Sequence, residues 1–321
     1  MSFREIKGQD SAIEFLKRSI AGGTVSHAYI FMGPPGVGKK LTAVNFAKAL
    51  NCLDPKDGGP CDLCGQCKKI DGSNHPDAFL ISPEKEDASF GIDKVRGIIK
   101  DIGLKPYEGR KKVYILEGAG AMTPEAQNSL LKTLEEPPQD AVLILIAENL
   151  NYILPTIQSR ARKVVFFALG ASMVEKILVD SHGVDRNRAG ILSRISSGLL
   201  GKALKYKDEG FFEKRLRIID GLRNESFFDS DFESVSKTDL KLCLDVMLTW
   251  YRDILVVKAS KGLSEGLALV NIDRQDAILA ESRVLGFDRL NKIIEQIVLT
   301  GSFLEQNANP KLAMSVLGID L

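Results

Sequence analysis

Gly33-Pro34-Pro35-Gly36-Val37-Gly38-Lys39-Lys40 has the residue types and spacing to hold phosphates. Its glycines let backbone N–H groups turn inward around an anion, and a helix starting at the lysines adds the partial positive charge of its N-terminus. Lys39 is placed to reach the β- and γ-phosphates of a nucleotide. Position 40 departs from the pattern, which asks for a Ser or Thr hydroxyl to ligate Mg²⁺; an ammonium cannot do so. Thr42, two residues on, points elsewhere on a helix of period 3.6. Gly33, Pro34, Gly36, Val37, Gly38, Lys39 and Lys40 are therefore expected to cradle the phosphates of ATP or ADP beside a damaged metal site.

Cys52, Cys61, Cys64 and Cys67 form the second chemical set. Each C-x2-C turn offers two thiolates, and Zn²⁺ takes four in a tetrahedron. The stretch Asp54 to Pro60, rich in Gly and Pro, can fold back to bring Cys52 into the set. With no His or Glu in it, the expected site is closed and structural; a catalytic or nucleic-acid-reading zinc ribbon is the alternative.

The elements that must position these groups alternate. Apolar strand-like runs lie at 28–32, 77–81, 113–116, 142–147 and 164–167, and helical periodicity at 41–50, 92–103 and 123–134, the last opened by Thr123 and Pro124. Strand–helix alternation predicts an α/β domain with a parallel five-stranded sheet covered on both faces. A leading helix within 1–26 places Ala12, Phe15, Leu16 and Ile20 on one face. After Phe167 only helical patterns remain. The expected division is an α/β domain at 1–167 with the cysteine module at 52–67 inserted, a small helical domain at 168–207 and an all-α domain at 208–321. Glu117, ending the third strand, is the expected metal carboxylate; the next position, where a base would polarise water, is Gly118. Asn149, ending the fourth, is the expected γ-phosphate sensor.

Bulk properties exclude several classes. The 321 residues carry 43 Lys and Arg against 42 Asp and Glu, so no basic footprint for nucleic acid stands out. No apolar run approaches the length of a membrane span, and residues 1–5 contain no leader-like apolar core, which leads to the expectation of a cytoplasmic protein without membrane partners.

Gly33 to Lys39, the four cysteines, Asn128-Ser129-Leu130-Leu131-Lys132-Thr133-Leu134-Glu135-Glu136-Pro137-Pro138 and Ser159-Arg160-Ala161 together resemble bacterial clamp-loader AAA+ subunits of DNA polymerase III. Gly8-Gln9-Asp10 and His27-Ala28-Tyr29 match as well, so the resemblance is strong over 1–205. It is weaker at Trp250-Tyr251-Arg252-Asp253 and at Gln306 to Ala313. It implies an AAA+ domain, a helical lid and a collar for assembly of a hetero-pentamer with gamma/tau and delta subunits, which acts on a sliding clamp and primed DNA. Two readings compete within the family: the ATP-hydrolysing gamma/tau motor and the delta-prime stator. Lys40, Glu117-Gly118 and Gly201 stand where the motor is expected to carry a hydroxyl, Asp-Glu and an arginine, and this favours the stator. The chain is then expected to lack ATPase and polymerase activity of its own while belonging to the polymerase holoenzyme. Arg160 is the family's candidate finger, acting in trans on nucleotide bound by a neighbour, with Arg162 as the alternative.

Overall fold

A computed structural model describes residues 2–83, 91–208, 210–224, 227, 235–260, 268–306 and 308–320. The chain divides into two compact units, Met1–Leu169 and Gly170–Leu321. Most of 225–234 and all of 261–267, read from sequence as helical, lie outside the described residues, as does Asn307.

In the first unit the apolar runs become strands β1 (Ala28–Met32), β2 (Ala78–Ile81), β3 (Lys112–Glu117), β4 (Ala141–Ala147) and β5 (Arg162–Val165). They form a parallel sheet in the order β2-β3-β4-β1-β5. All seven residues of β4 are buried, as a central parallel strand covered on both faces requires. The register sets Met32 opposite Ala147 and Glu117 opposite Ile146. The segments leaving β1, β3 and β4 therefore emerge along one edge, at the carboxyl ends of the strands, where open α/β sheets place their ligands. Gly33 to Gly38, Glu117-Gly118 and Glu148-Asn149 all lie on that edge.

The helices of this unit are α1 (Asp10–Ala21), α2 (Lys39–Asn51), α3 (Gly65–Asp71), α4 (Ile92–Ile102), α5 (Pro124–Glu135) and α6 (Pro155–Gln158). Val95, Ile98 and Ile102 of α4 share a core with Leu130 and Leu134 of α5 and with Leu143 and Leu145 of β4. The Thr123 hydroxyl accepts from Ala126 N at 3.2 Å with Pro124 in the first turn, so α5 starts where the sequence indicates. Two local expectations shift. On α1, Ile13 is buried and Phe15 is 39% exposed, a rotation of the apolar stripe. Strand β5 ends two residues earlier than expected because Gln9 ends the ladder: its side chain donates to Phe167 O at 2.7 Å and accepts from Phe167 N at 3.3 Å.

The second unit is helical among its described residues: α7 (Ala171–His182), α8 (Arg186–Ile195), α9 (Leu200–Asp208), α10 (Phe211–Arg223), α11 (Lys237–Ala259), α12 (Gln275–Val284), α13 (Phe287–Glu305) and α14 (Pro310–Asp320). The Trp-Tyr-Arg-Asp run lies on α11. Trp250 is fully buried and its indole N–H donates to Glu281 at 3.1 Å. Asp253, also fully buried, accepts from the backbone N–H groups of Val270 and Asn271 at 2.9 and 2.8 Å. Arg215 is buried between Asn271 and Asp273, with contacts of 2.7 and 2.6 Å. Asp253 and Arg215 fasten the segment 269–274 to α11 and α10, and Trp250 ties α11 to α12, so Trp250 and Asp253 have structural roles.

Candidate functional site

The phosphate loop joins β1 to α2 in the strand–loop–helix order its chemistry needs. Gly33 approaches Phe166 so closely that a Cβ would lie 2.2 Å from the Phe166 carbonyl oxygen; no side chain fits. Gly36 and Gly38 have φ of 74° and 97°, and Gly38 is the N-cap of α2. Pro34 begins the turn and Val37 is buried, anchoring the loop from below. Lys39 is also buried, and its ammonium donates to the loop's own carbonyls, Gly33 and Pro34, the latter at 2.7 Å. Burial pushes the Lys39 pKa down, opposed by the carboxylates of Glu148 and Glu117.

Lys40 reaches across the edge of the sheet to Glu117, with its Nζ 2.9 Å from Oε2. Ser82 Oγ donates to that same oxygen at 2.6 Å. Burial pushes the Glu117 carboxyl up, but these two donors outweigh it and hold it below the usual range. Thr42 is fully buried and donates to the Gly38 carbonyl at 2.9 Å, so it faces its own helix. Gly118 has φ 71°, a left-handed conformation in which a glutamate side chain would be strained. Asn149 is exposed at the end of β4, and its side-chain oxygen caps the turn 150–152 by accepting from Asn151 N at 2.9 Å.

The cysteine module closes as its spacing predicts. Cys52 follows α2, Cys61 lies in the returning loop, Cys64 is the N-cap of α3 and Cys67 lies in its first turn. The four Sγ atoms lie within 4.8 Å of one another. Tetrahedral Zn–S bonds of about 2.3 Å put sulfurs roughly 3.8 Å apart, so the set fits a four-thiolate metal site. Cys61 N and Cys64 N each donate to a preceding sulfur at 3.3 Å, those of Cys52 and Cys61. Burial opposes ionisation of Cys64, yet backbone N–H groups of Leu53 and Cys67 prevail and bring its thiol down to about 6. Burial pushes Cys52 and Cys67 up, so full ligation requires a cation to displace their protons. Lys48, its side chain wholly buried on α2, pairs with Asp62 inside the module and with Asp71 at 2.7 Å on α3. It ties the insertion to the helix that follows the phosphate loop.

Arg160 follows α6, away from the loop in sequence. Its guanidinium bonds to Thr156 O at 2.9 Å and pairs with Glu135 at 2.8 Å, both groups remaining partly exposed. Glu135 is the first glutamate of the Leu-Leu-Lys-Thr-Leu-Glu-Glu-Pro-Pro run, so two motifs meet here. Arg162 lies exposed on β5. Gln127, not singled out in the sequence, sets this corner: buried on α5, it donates to Tyr152 O and accepts from Leu154 N, both at 2.8 Å. Asp77 was likewise missed; fully buried, it accepts from the N–H groups of Tyr107, Glu108 and Gly109 at 2.7, 2.8 and 2.8 Å and shapes the turn into β3. A polar residue beside an apolar strand run is the signal that marks it. Among the described residues no helix is long and apolar enough to cross a membrane.

Residues 8–169 match the family described as DNA polymerase III, delta subunit. The chain is 31% identical over 262 residues to the DNA polymerase III subunit delta' of Bacillus subtilis, covering 78% of each chain. It is 31% identical over 255 residues to the delta' subunit of Pseudomonas aeruginosa, covering 77% of this chain and 76% of that one. The DNA polymerase III subunit tau of Bacillus subtilis is 27% identical over 332 residues, covering 93% of this chain but 58% of tau. A family match across half the chain, joined to 31% identity with two delta' subunits over more than three quarters of the chain, means that the chain belongs to the DNA polymerase III delta' subunit family.

Proposed function

We propose that this chain is the delta' subunit of a DNA polymerase III clamp loader and serves as its non-hydrolysing stator. The observation that carries this is the Lys40–Glu117 ion pair at the carboxyl edge of the sheet, with Gly118 beside it. A hydrolysing AAA+ site needs a hydroxyl, a metal carboxylate and a base at those positions. Here the first is an ammonium, the second is paired to it, and the third has no side chain. The chain keeps the architecture of a nucleotide-driven subunit without the groups that hold and activate water.

In this reading the subunit contributes to its neighbours. Arg160 extends toward the γ-phosphate bound by an adjacent gamma/tau subunit and neutralises charge developing there, with Glu135 and Gln127 fixing the corner that presents it. Residues 168–207 serve as a lid and 208–321 as the collar of a hetero-pentamer with gamma/tau and delta subunits, which loads a sliding clamp onto primed DNA. Cys52, Cys61, Cys64 and Cys67 hold Zn²⁺, which when bound supplies a crosslink between the end of α2 and α3. The place of work is the cytoplasm.

The test is reconstitution. The purified chain should release phosphate from ATP at background rate, and adding it to gamma/tau and delta subunits should raise DNA- and clamp-stimulated ATPase. Turnover by the chain alone at a rate typical of hydrolysing clamp-loader subunits overturns the stator reading.

A further inference from the structure

A P-loop fold holds its divalent cation between two places, the first turn of the helix after the loop and the carboxylate ending a neighbouring strand, both through oxygen. The residues at those places in this chain do not fit Mg²⁺. Position 40 offers an ammonium, which sits 2.9 Å from the strand-end carboxylate. That carboxylate oxygen also accepts from Ser82 at 2.6 Å. The hydroxyl of Thr42 is fully buried and turned toward the Gly38 carbonyl of its own helix, away from Glu117. A divalent ion brought to Glu117 would meet a positive charge within about one hydrogen-bond length of its ligand, a strong repulsion in a half-buried setting.

The phosphate-binding part of the loop is intact. Gly36 and Gly38 keep the positive φ that the loop's turns need, and Gly33 puts no side chain into the loop. Lys39 rests on carbonyls of the loop itself, so a side-chain rotation alone redirects it. Lys40 is half exposed and so has room to turn from Glu117 toward a phosphate oxygen.

We infer that the Lys40–Glu117 pair stands where the fold otherwise holds Mg²⁺, so that this loop binds a nucleoside diphosphate or triphosphate without a divalent cation. The inference deepens the non-hydrolysing reading and rests on it. It also fixes a sign. In a metal site the strand-end carboxylate aids nucleotide binding by holding the cation. Here Glu117 competes with the phosphates for Lys40 and adds repulsion of its own. Removing its charge should tighten binding, the opposite of what a metal ligand does.

Methylanthraniloyl-ADP and methylanthraniloyl-ATP, titrated into the full chain in EDTA and in millimolar Mg²⁺, test this. Because millimolar Mg²⁺ complexes the free nucleotide, the expected binding is no tighter in Mg²⁺ than in EDTA, and weaker for the triphosphate, which Mg²⁺ complexes more tightly. Glu117→Gln should tighten binding by on the order of tenfold, and Lys40→Met should weaken it by about as much in both media, the scale of one charge-assisted contact. The wild-type comparison needs no variant and stands if either substitution fails to fold. Tightening of about tenfold or more by Mg²⁺, or weaker binding by Glu117→Gln in Mg²⁺, overturns the inference. So does an absence of binding at millimolar nucleotide, which would leave the stator reading untouched. That reading falls instead to phosphate release, measured separately on the same preparation.

Discussion

Arg160→Ala separates two accounts of one side chain. As a surface residue, Arg160 makes an ion pair with Glu135 at 2.8 Å and a bond to Thr156 O at 2.9 Å. Exposed pairs of this kind contribute about 0.5 kcal/mol, and a solvent-accessible hydrogen bond about 1 kcal/mol or less. The isolated variant should therefore lose no more than about 1.5 kcal/mol of stability by urea titration. As a finger acting on a neighbour's nucleotide, the same side chain is worth on the order of 10³–10⁵ in rate, about 4–7 kcal/mol of transition-state stabilisation. The two magnitudes do not overlap. The assay is DNA- and clamp-stimulated ATPase of the reconstituted complex, with assembly followed by size-exclusion chromatography. Arg160→Lys should fall nearly as far as the alanine variant, because an ammonium lacks the planar fork. Glu135→Gln should change the rate by about twofold at most, since the pair that restrains Arg160 is worth only that much. If the complex assembles and Arg160→Ala keeps its ATPase within about threefold of wild type, the finger role is wrong and Arg160 is a surface ion-pair residue.

The isolated chain should hydrolyse ATP at background, and Lys40→Thr alone should not restore turnover because Gly118, at φ 71°, still supplies no base; phosphate release measures both. Metal analysis of protein purified without chelators should give about one zinc per chain, and Cys64→Ser should lower zinc content and melting temperature together; metal-free wild type would remove the zinc assignment. Asp77→Ala should cost about 3 kcal/mol or more by urea denaturation, since it strands three N–H donors that Asp77 holds at 2.7–2.8 Å; a cost under about 1 kcal/mol would mean that water replaces it. Burial pushes the Asp77 carboxyl up, but those N–H groups prevail and hold it low. Its contribution is thus complete above the unfolded pKa near 3.9 and lost as pH falls through the lower folded value, so the stability gap between wild type and Asp77→Asn should narrow in acid.

How much of this was legible in the sequence depends on how local the cause is. Strand β4 reads directly because a strand covered on both faces must be apolar throughout. The cysteine cluster reads because three of its thiols follow one another at C-x2-C spacing and Cys52 lies one short loop away. The start of α5 reads because Thr123 and Pro124 act within one turn. What was missed is set by distant partners. The end of β5 is fixed by Gln9, 158 residues away. The apolar stripe of α1 is rotated so that Ile13 is buried in place of Phe15. The corner at Arg160 is set by Gln127, which lies outside the quoted motifs, and by Glu135, from a different motif. Lys40 was legible as a defect in a metal site, but not as the partner of Glu117, 77 residues on.

On the proposed stator reading, that pairing accounts for how the edge between α2 and β3 keeps a bridge without a metal. In a hydrolysing site the divalent ion does two jobs: it activates phosphate, and it bridges the helix after the loop to the end of a neighbouring strand. Replacing the hydroxyl with a small apolar residue would leave Glu117 facing whatever anion the loop holds, with nothing to offset it. A lysine at that position restores the bridge with a covalently attached charge, as the 2.9 Å contact from α2 to β3 shows. The bridge needs no nucleotide and no metal to form, so it joins the two elements while the loop is empty. A subunit whose role is to hold a fixed geometry gains from that independence, whereas a motor, whose elements must separate and close as phosphate comes and goes, would be impaired by it. In the proposed stator, Lys40 thus stands in for the cation's bridge while offering the cation no ligand.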